Sequence, residues 1–223
     1  MDRYVIIVAG GSGVRMGSDM PKQFILLGSR PLLMHTISTF FKVGIEKIIL
    51  VLPLQSVEYW KSICKEYSFD IPHKVVQGGL FRSESVKNGL DAIKENEAIV
   101  AVHDGVRPFV SQETILKGYE IAEHDGAAVP YIDITDSLRA IEGSGNVTVE
   151  RDKYKAVQTP QCFKLSLLRK AYCNLNQPAF TDDAALVEML DVPIVLYKGN
   201  LENIKITTPF DLLVAEAILK VKG

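Results

Sequence analysis

Between Ala9 and Gln23 the chain reads Ala-Gly-Gly-Ser-Gly-Val-Arg-Met-Gly-Ser-Asp-Met-Pro-Lys-Gln, with four glycines in eight positions (Gly10, Gly11, Gly13 and Gly17). Such glycines remove side chains where a backbone must come close to something else. Arg15 and Lys22 add fixed positive charge to the same loop. Closely approaching N–H groups together with cations form a cradle for a polyphosphate. The loop follows directly on Tyr4-Val5-Ile6-Ile7-Val8, an apolar run of strand type. Two common loops of this kind do not fit. The dinucleotide pattern Gly-x-Gly-x-x-Gly has Met16 where its third glycine belongs, and no acid ends the next strand at Leu50-Val51-Leu52-Pro53. A Walker loop needs Gly-Lys-Ser/Thr, which the segment lacks. A glycine-rich turn without a ligand leaves Arg15 and Lys22 unexplained.

A second constellation is His103-Asp104-Gly105-Val106-Arg107-Pro108, at the end of an apolar run. In open parallel sheets ligands bind beyond the carboxyl ends of the strands. Asp104, an acceptor-only carboxylate, suits Mg²⁺ held with a nucleotide's phosphates. Arg107 is suited equally to another phosphate and to pairing with Asp104. His103 reads as a structural group that closes the strand by hydrogen bonding. A third group is Gly78-Gly79 followed by Arg82, Ser83 and Ser85 at a helix start, where a flat base could approach the backbone and unpaired N–H groups are on offer. A capped helix with a tight entry turn explains the same residues. Arg151, Thr159-Pro160-Gln161, Thr181-Asp182-Asp183 and Asn203-Ile204-Lys205-Ile206-Thr207 are scattered, and spacing alone does not unite them.

The elements that must position these groups alternate. Strand candidates are 4–9, 47–52, 74–77, 99–103, 127–131 and 194–197, apolar throughout, as expected of strands covered on both faces. Between them lie helix candidates. Residues 32–41 carry Leu33, Ile37, Phe40 and Phe41 on one face, and Ser56 has the character of an N-cap ahead of Val57, Trp60, Ile63 and Cys64. Residues 83–93 place Val86, Leu90 and Ile93 at helical steps, and Pro209 opens a final helix with Leu212, Leu213, Ala215, Ile218 and Leu219. The alternation predicts an α/β fold, a mostly parallel sheet with helices on both sides. Residues 132–157 break the rhythm: two short β-type runs flank Glu142-Gly143-Ser144-Gly145-Asn146, a hairpin inserted in the pattern. An isolated two-stranded ribbon is marginal, so it needs a surface to pack on. A second subunit supplies one, and a flap folded over its own domain is the alternative.

The 223 residues, 47% hydrophobic and 23% charged, suit one compact domain, and a net charge of -2 offers no global basic field for nucleic acid. Three widely spaced cysteines, Cys64, Cys162 and Cys173, form no metal-ligand cluster and point to a reducing compartment. No basic region followed by a long apolar stretch opens the chain, and no run is long enough to span a bilayer, so a cytoplasmic protein is expected.

Taken in order, Gly-Gly-x-Gly-x-Arg-Met-Gly, Pro21-Lys22-Gln23-Phe24, His103-Asp104-x-x-Arg107-Pro108, Thr159-Pro160-Gln161, Thr181-Asp182-Asp183 and Asn203-Ile204-Lys205-Ile206-Thr207 resemble the 2-C-methyl-D-erythritol 4-phosphate cytidylyltransferases from Val5 to Leu219. The resemblance implies a nucleotidyltransferase fold of the glycosyltransferase-A-like type, a projecting arm, a homodimer, and CTP and Mg²⁺ as partners. It implies that Arg15, Lys22 and Lys205 stabilise the transition state, with Asp104 close to metal and substrate. Arg107, Ser137, Arg151, Thr159 and Thr181 fall on the acceptor side, Arg151 reaching across the dimer. Ala9, Gly10, Gly11, Gly13, Gly78, Gly79 and Ser85 fall on the nucleotide side. The Gly-Gly-x-Gly opening also resembles ribitol-5-phosphate cytidylyltransferases, which makes ribitol phosphate the alternative acceptor; Thr181-Asp182-Asp183 favours methylerythritol phosphate. A nucleotide-binding regulatory module without catalysis is the rival from another class, and an enzyme using a hexose 1-phosphate is a third reading.

Overall fold

The computed structural model describes residues 1–10, 21–173 and 182–222. Its elements in chain order are β1 (Arg3–Val8), a single 3-10 turn (Lys22–Phe24), β2 (Leu26–Leu27), β3 (Arg30–Pro31), α1 (Leu32–Lys42), β4 (Lys47–Leu52), α2 (Leu54–Glu66), β5 (Lys74–Gln77), α3 (Arg82–Asp91), β6 (Ile99–Asp104), α4 (Gln112–Asp125) and β7 (Ala127–Asp133). There follow β8 (Arg139–Glu142), β9 (Gly145–Thr148), a second 3-10 turn (Arg151–Lys153), β10 (Lys155–Val157), β11 (Gln161–Lys164), α5 (Leu165–Cys173), α6 (Ala184–Glu188), β12 (Val195–Lys198) and α7 (Pro209–Lys222).

Among the described residues the main sheet has eight strands. β6, β1, β4 and β5 are neighbours and parallel, while β11 is wedged antiparallel between β6 and β7. β12 lies parallel on the other edge of β7, and β10 pairs antiparallel with the far end of β7 on the side that β11 occupies. The apolar-throughout strands have the predicted cause. Val5 and Ile7 of β1 join one core with Leu33, Ile37 and Phe40 of α1, Trp60 of α2 and Tyr119 of α4. Ile6, between them, joins the other core with Val86 and Leu90 of α3 and Leu168 of α5. Because successive side chains point to opposite faces, a strand that serves both cores has no polar face left. A third cluster, built around Leu27, Leu32 and Ile206, seats α7 through Ala215.

Three expectations need correction. Ser56 is not an N-cap: α2 begins two residues earlier, after Pro53, and Ser56 lies buried within it. Proline preset at φ -56 can open the helix in place of a side-chain cap. Phe41 and Leu213, expected on apolar faces, stand at the surface, 36% and 68% exposed. In both helices the neighbouring positions already fill the contact with the core. Pro209 does open the last helix, and Asp211 completes its cap: its Oδ2 accepts from the N–H groups of Thr207 and Thr208, each at 2.8 Å, while Thr208 Oγ1 accepts from Asp211 N–H at 3.2 Å.

Aromatic packing fixes the turn that carries Lys22. Phe24 stacks on Trp60 with ring centroids 6.1 Å apart and meets Tyr59 edge-on at 5.2 Å. Trp60 Nε1 donates to His73 Nε2 at 2.9 Å. In a separate two-stranded sheet, β8 and β9 form the expected hairpin, in register from Arg139–Thr148 to Glu142–Gly145. Every residue of β9 is exposed.

Gly118 of α4 marks a close helix–sheet contact. A β-carbon there would collide with the Tyr197 hydroxyl and lie 2.9 Å from Cys162 Sγ, and Tyr197 is held by its bond to Thr114 O at 3.0 Å. Gly118→Ala is expected to cost about 1–3 kcal/mol through overpacking. Chemical denaturation measures this; an unchanged midpoint would show that α4 can move away from the sheet.

Candidate functional site

The chain runs from β1 outward through β4 to β5 and then returns to β6 on the other side of β1. Ligand crevices form outside the carboxyl ends of strands at such a reversal. Here the reversal aligns Val8 with Asp104. Each chain leaving the edge is tied to its neighbour: Gly105 N–H donates to Val8 O at 2.9 Å, Ala9 N–H to Val51 O at 3.0 Å, and Gly78 N–H to Leu52 O at 2.8 Å.

Two adjoining cavities occupy this edge. The larger, about 230 Å³, is walled by Ala9, Gly10, Lys22, Gly79, Ser85, Asp104 and Lys205, among others. The smaller, about 90 Å³, is walled by Arg107, Gln158, Thr159, Gln161 and Asp182. Asp104, Arg82 and Lys205 border both.

Asp104 is the electrostatic centre. Its Oδ2 lies 3.1 Å from Lys205 Nζ and 3.1 Å from Arg107 Nε. Burial alone would favour the protonated acid, but the charges of Lys205, Arg107 and Arg82 outweigh it and hold the carboxyl far below the usual range. Arg107 therefore does pair with Asp104, and its Nη1 also donates to Asn203 O at 2.8 Å. Asn203, wholly buried, donates to Thr159 O at 2.8 Å, and Ile206 N–H donates to Val106 O at 3.0 Å. These bonds bring Lys205 back alongside the Asp104–Arg107 loop.

His103 is structural, as its sequence context indicates. Arg107 O can only accept, so His103 Nε2 carries the proton in their 3.0 Å bond. Nδ1 then accepts from Thr159 Oγ1 at 3.1 Å, and Thr159 Oγ1 accepts from Asp104 N–H at 3.1 Å. Complete burial holds the imidazole down at about 4. Thr159 thus borders the small cavity while its hydroxyl holds the Asp104 backbone.

On the larger cavity's other wall, Glu84 accepts from Leu80 N–H at 2.8 Å and from Phe81 N–H at 3.4 Å. Ser85 Oγ accepts from Gly79 N–H at 3.1 Å. A β-carbon on Gly79 would collide with the Glu84 side chain, so this glycine is required by the helix cap itself. The capped-helix reading of that turn is therefore correct, with Ser85 and Gly79 still at the cavity wall.

Arg82 has a partner that no local sequence pattern announces. It pairs with the fully buried Asp183 at 2.7 Å, across 101 residues, and Tyr172 donates to the same carboxylate. Burial opposes the charge on Arg82, and Asp183 more than restores it. Gln161 Oε1 accepts from the N–H groups of Asp183 and Ala184, both at 3.1 Å, while its Nε2 donates to Asp182 Oδ2 at 3.1 Å. Its position after Gly78-Gly79 was the available signal for Arg82. Ser137 and Arg151 are exposed at the base of the hairpin and border neither cavity, and Arg151 Nη1 donates to Thr135 O. Gly11, Gly13, Arg15 and Thr181 lie outside the described residues.

The model of the 2-C-methyl-D-erythritol 4-phosphate cytidylyltransferases matches residues 4–221. The chain belongs to this family. It is 51% identical over 220 residues to the 2-C-methyl-D-erythritol 4-phosphate cytidylyltransferase of Bacteroides thetaiotaomicron, covering 98% of this chain and all of that one. Two solved cytidylyltransferase structures are similar. The Thermus thermophilus enzyme has a TM-score of 0.81 at 34% identity, over 99% of this chain and 100% of that one. The 4-diphosphocytidyl-2C-methyl-D-erythritol synthase of Anaerococcus prevotii has a TM-score of 0.85 at 32% identity, over 98% and 96%. The expected α/β nucleotidyltransferase fold, mostly parallel and flanked by helices, is thereby the fold of a cytidylyltransferase family.

The burial of neutral His103 has a thermodynamic signature. An unfolded histidine titrates near 6.5 and this one near 4. Between those values the unfolded chain binds more protons, so stability is full above about pH 6.5 and falls as pH drops towards 4, by about 3 kcal/mol at this residue. Burial lowers His35 and His73 too, in the same direction. Urea unfolding at several pH values, with His103→Gln as the control of reduced slope, checks this; equal slopes would assign the effect to other groups.

Proposed function

We propose that the chain transfers the cytidylyl group of CTP to 2-C-methyl-D-erythritol 4-phosphate, giving 4-diphosphocytidyl-2-C-methyl-D-erythritol and pyrophosphate. The observation that carries the reading is the Asp104 carboxylate set among Lys205, Arg107 and Arg82 on the wall between two cavities. The larger cavity suits the nucleotide and the smaller the acceptor's phosphate. An oxygen of that phosphate attacks the α-phosphorus of CTP, and the bond to the bridging oxygen of the leaving pyrophosphate breaks. A phosphate monoester is already anionic near neutral pH, so no nucleophile from the protein is needed. The protein's contribution is placement of two anions and stabilisation of charge as it develops. Lys22 and Lys205, which line the larger cavity, serve that purpose together with Arg15.

On the nucleotide side we place Ala9, Gly10, Gly11, Gly13, Gly78, Gly79 and Ser85. On the acceptor side we place Asp104, Arg107, Ser137, Arg151, Thr159 and Thr181. Among the described residues no group of three or more histidines, cysteines and acids is placed to hold a metal ion. A lone carboxylate at the strand end fits Mg²⁺, which is commonly bound through one or two carboxylates, water and substrate phosphates. Asp104 would hold the ion, and when bound it supplies positive charge against the phosphate oxygens.

Arg151, which lines neither cavity of its own chain, suits a role in a neighbouring copy. Ile141 at 77% and Tyr154 at 49% exposure suit a hairpin that packs on that copy. We therefore place the enzyme as a homodimer joined through residues 132–157, acting in the cytoplasm. Among the described residues no helix is long and apolar enough to cross a membrane.

Pyrophosphate release is the direct test. CTP with methylerythritol 4-phosphate is expected to outpace UTP, ATP or GTP with the same acceptor, and to outpace CTP with ribitol 5-phosphate. A preference for ribitol phosphate would move the assignment to that acceptor, and no turnover with any pair would reject the enzyme reading. Lys205→Met and Arg151→Ala are each expected to lower kcat by about 10²–10³-fold. Mixed and re-associated, the two variants should recover roughly a quarter of wild-type activity, because half the dimers then carry one intact site. No recovery would place Arg151 in its own subunit's site.

A further inference from the structure

Gln23 is 1% exposed, yet neither its Nε2 nor its Oε1 has a hydrogen-bond partner among the described residues. Among the described residues it is the one side chain with both ends of an amide in that condition; Asn203 has an orphaned oxygen alone. A buried polar group without a partner is destabilising, and native structures rarely keep one without a use. Gln23 borders the larger cavity, next to Lys22 in the same 3-10 turn. We infer that the Gln23 amide receives the ribose hydroxyls of the bound nucleotide, an assignment that rests on the nucleotide reading of this cavity.

The chemistry of the amide selects that part of the ligand. A triphosphate presents acceptors alone and would satisfy the NH₂ group but not the carbonyl. A ribose hydroxyl both donates and accepts, and so answers both. Position agrees. Adjacent side chains on a 3-10 turn diverge by a third of a turn, so Lys22 and Gln23 serve neighbouring parts of one ligand. The cations Lys22 and Lys205 take the phosphate end, and Gly79 and Ser85 flank the opposite wall. The turn itself is held firm by Phe24 against Trp60 and Tyr59, so the amide is presented by a fixed backbone.

The assignment separates stability from binding. Gln23→Met keeps the length of the side chain and removes the orphaned polar atoms. The ligand-free variant is expected to melt about 2–4 °C higher than the wild type. Calorimetric titration of the wild type should show CTP bound at least about tenfold more tightly than 2′-deoxy-CTP or 3′-deoxy-CTP, the loss of one hydroxyl leaving a buried partner unpaired. In Gln23→Met that ratio should fall close to one through weaker CTP binding. An unchanged ratio in the variant, or no discrimination by the wild type, overturns the inference. So does a lower melting temperature with the ratio intact, which is the signature of a packing role. Wild-type protein that binds none of the three nucleotides instead removes the nucleotide reading, and the inference with it. Should the methionine variant not fold, Gln23→Leu carries the same comparison.

Discussion

A carboxylate removed from water is the constraint around which the site is arranged. Asp104 is 7% exposed, and burying a charge is costly unless neighbours compensate it. The compensation comes from three separate stretches of chain: Arg82 at the start of α3, Arg107 in the loop beyond β6, and Lys205 ahead of α7. Two of these cations have further support. Asp183, itself wholly buried, fixes Arg82, and the Asn203 carbonyl fixes Arg107. The field at the cavity wall is therefore a property of the assembled fold and of no single loop. Fixed charges of this kind need little reorganisation when a reacting phosphate develops charge beside them.

The backbone of the same residue is held as closely as its side chain. His103, Thr159 and the Arg107 carbonyl form one chain of hydrogen bonds that ends on the Asp104 N–H. It spans β6 and the stretch between β10 and β11, where the chain passes through the cis peptide of Thr159–Pro160. There β10 gives way to β11, which runs between β7 and β6. The smaller cavity opens at that transition, lined by Gln158 and Asp104. Sheet topology and site geometry are one feature at this point.

Much of this was legible in the sequence because it is local. The pairing of Arg107 with Asp104 spans three residues, and the strands of the parallel core announce themselves as unbroken apolar runs. Pro209 opens a helix by its own geometry. What remained hidden depends on distant partners. Gln161–Lys164 carries no β-branched residue to mark it as a strand, and only its neighbours β6 and β7 make it one. The partner of Arg82 lies 101 residues away. Ser56 has the right chemistry for a cap, but Pro53 had already started the helix. Phe41 and Leu213 show that helical spacing marks the side of a helix facing the core without marking where the core ends.

The chain has one tryptophan, Trp60, and it is in contact with the turn that carries Lys22 and Gln23. Its indole is buried, stacked on Phe24 and bonded to His73, so its emission depends on how that turn is seated. The protein thus has a built-in optical probe of the turn that lines the larger cavity. Occupancy of the larger cavity can be followed in the unlabelled protein, without waiting for a product to form.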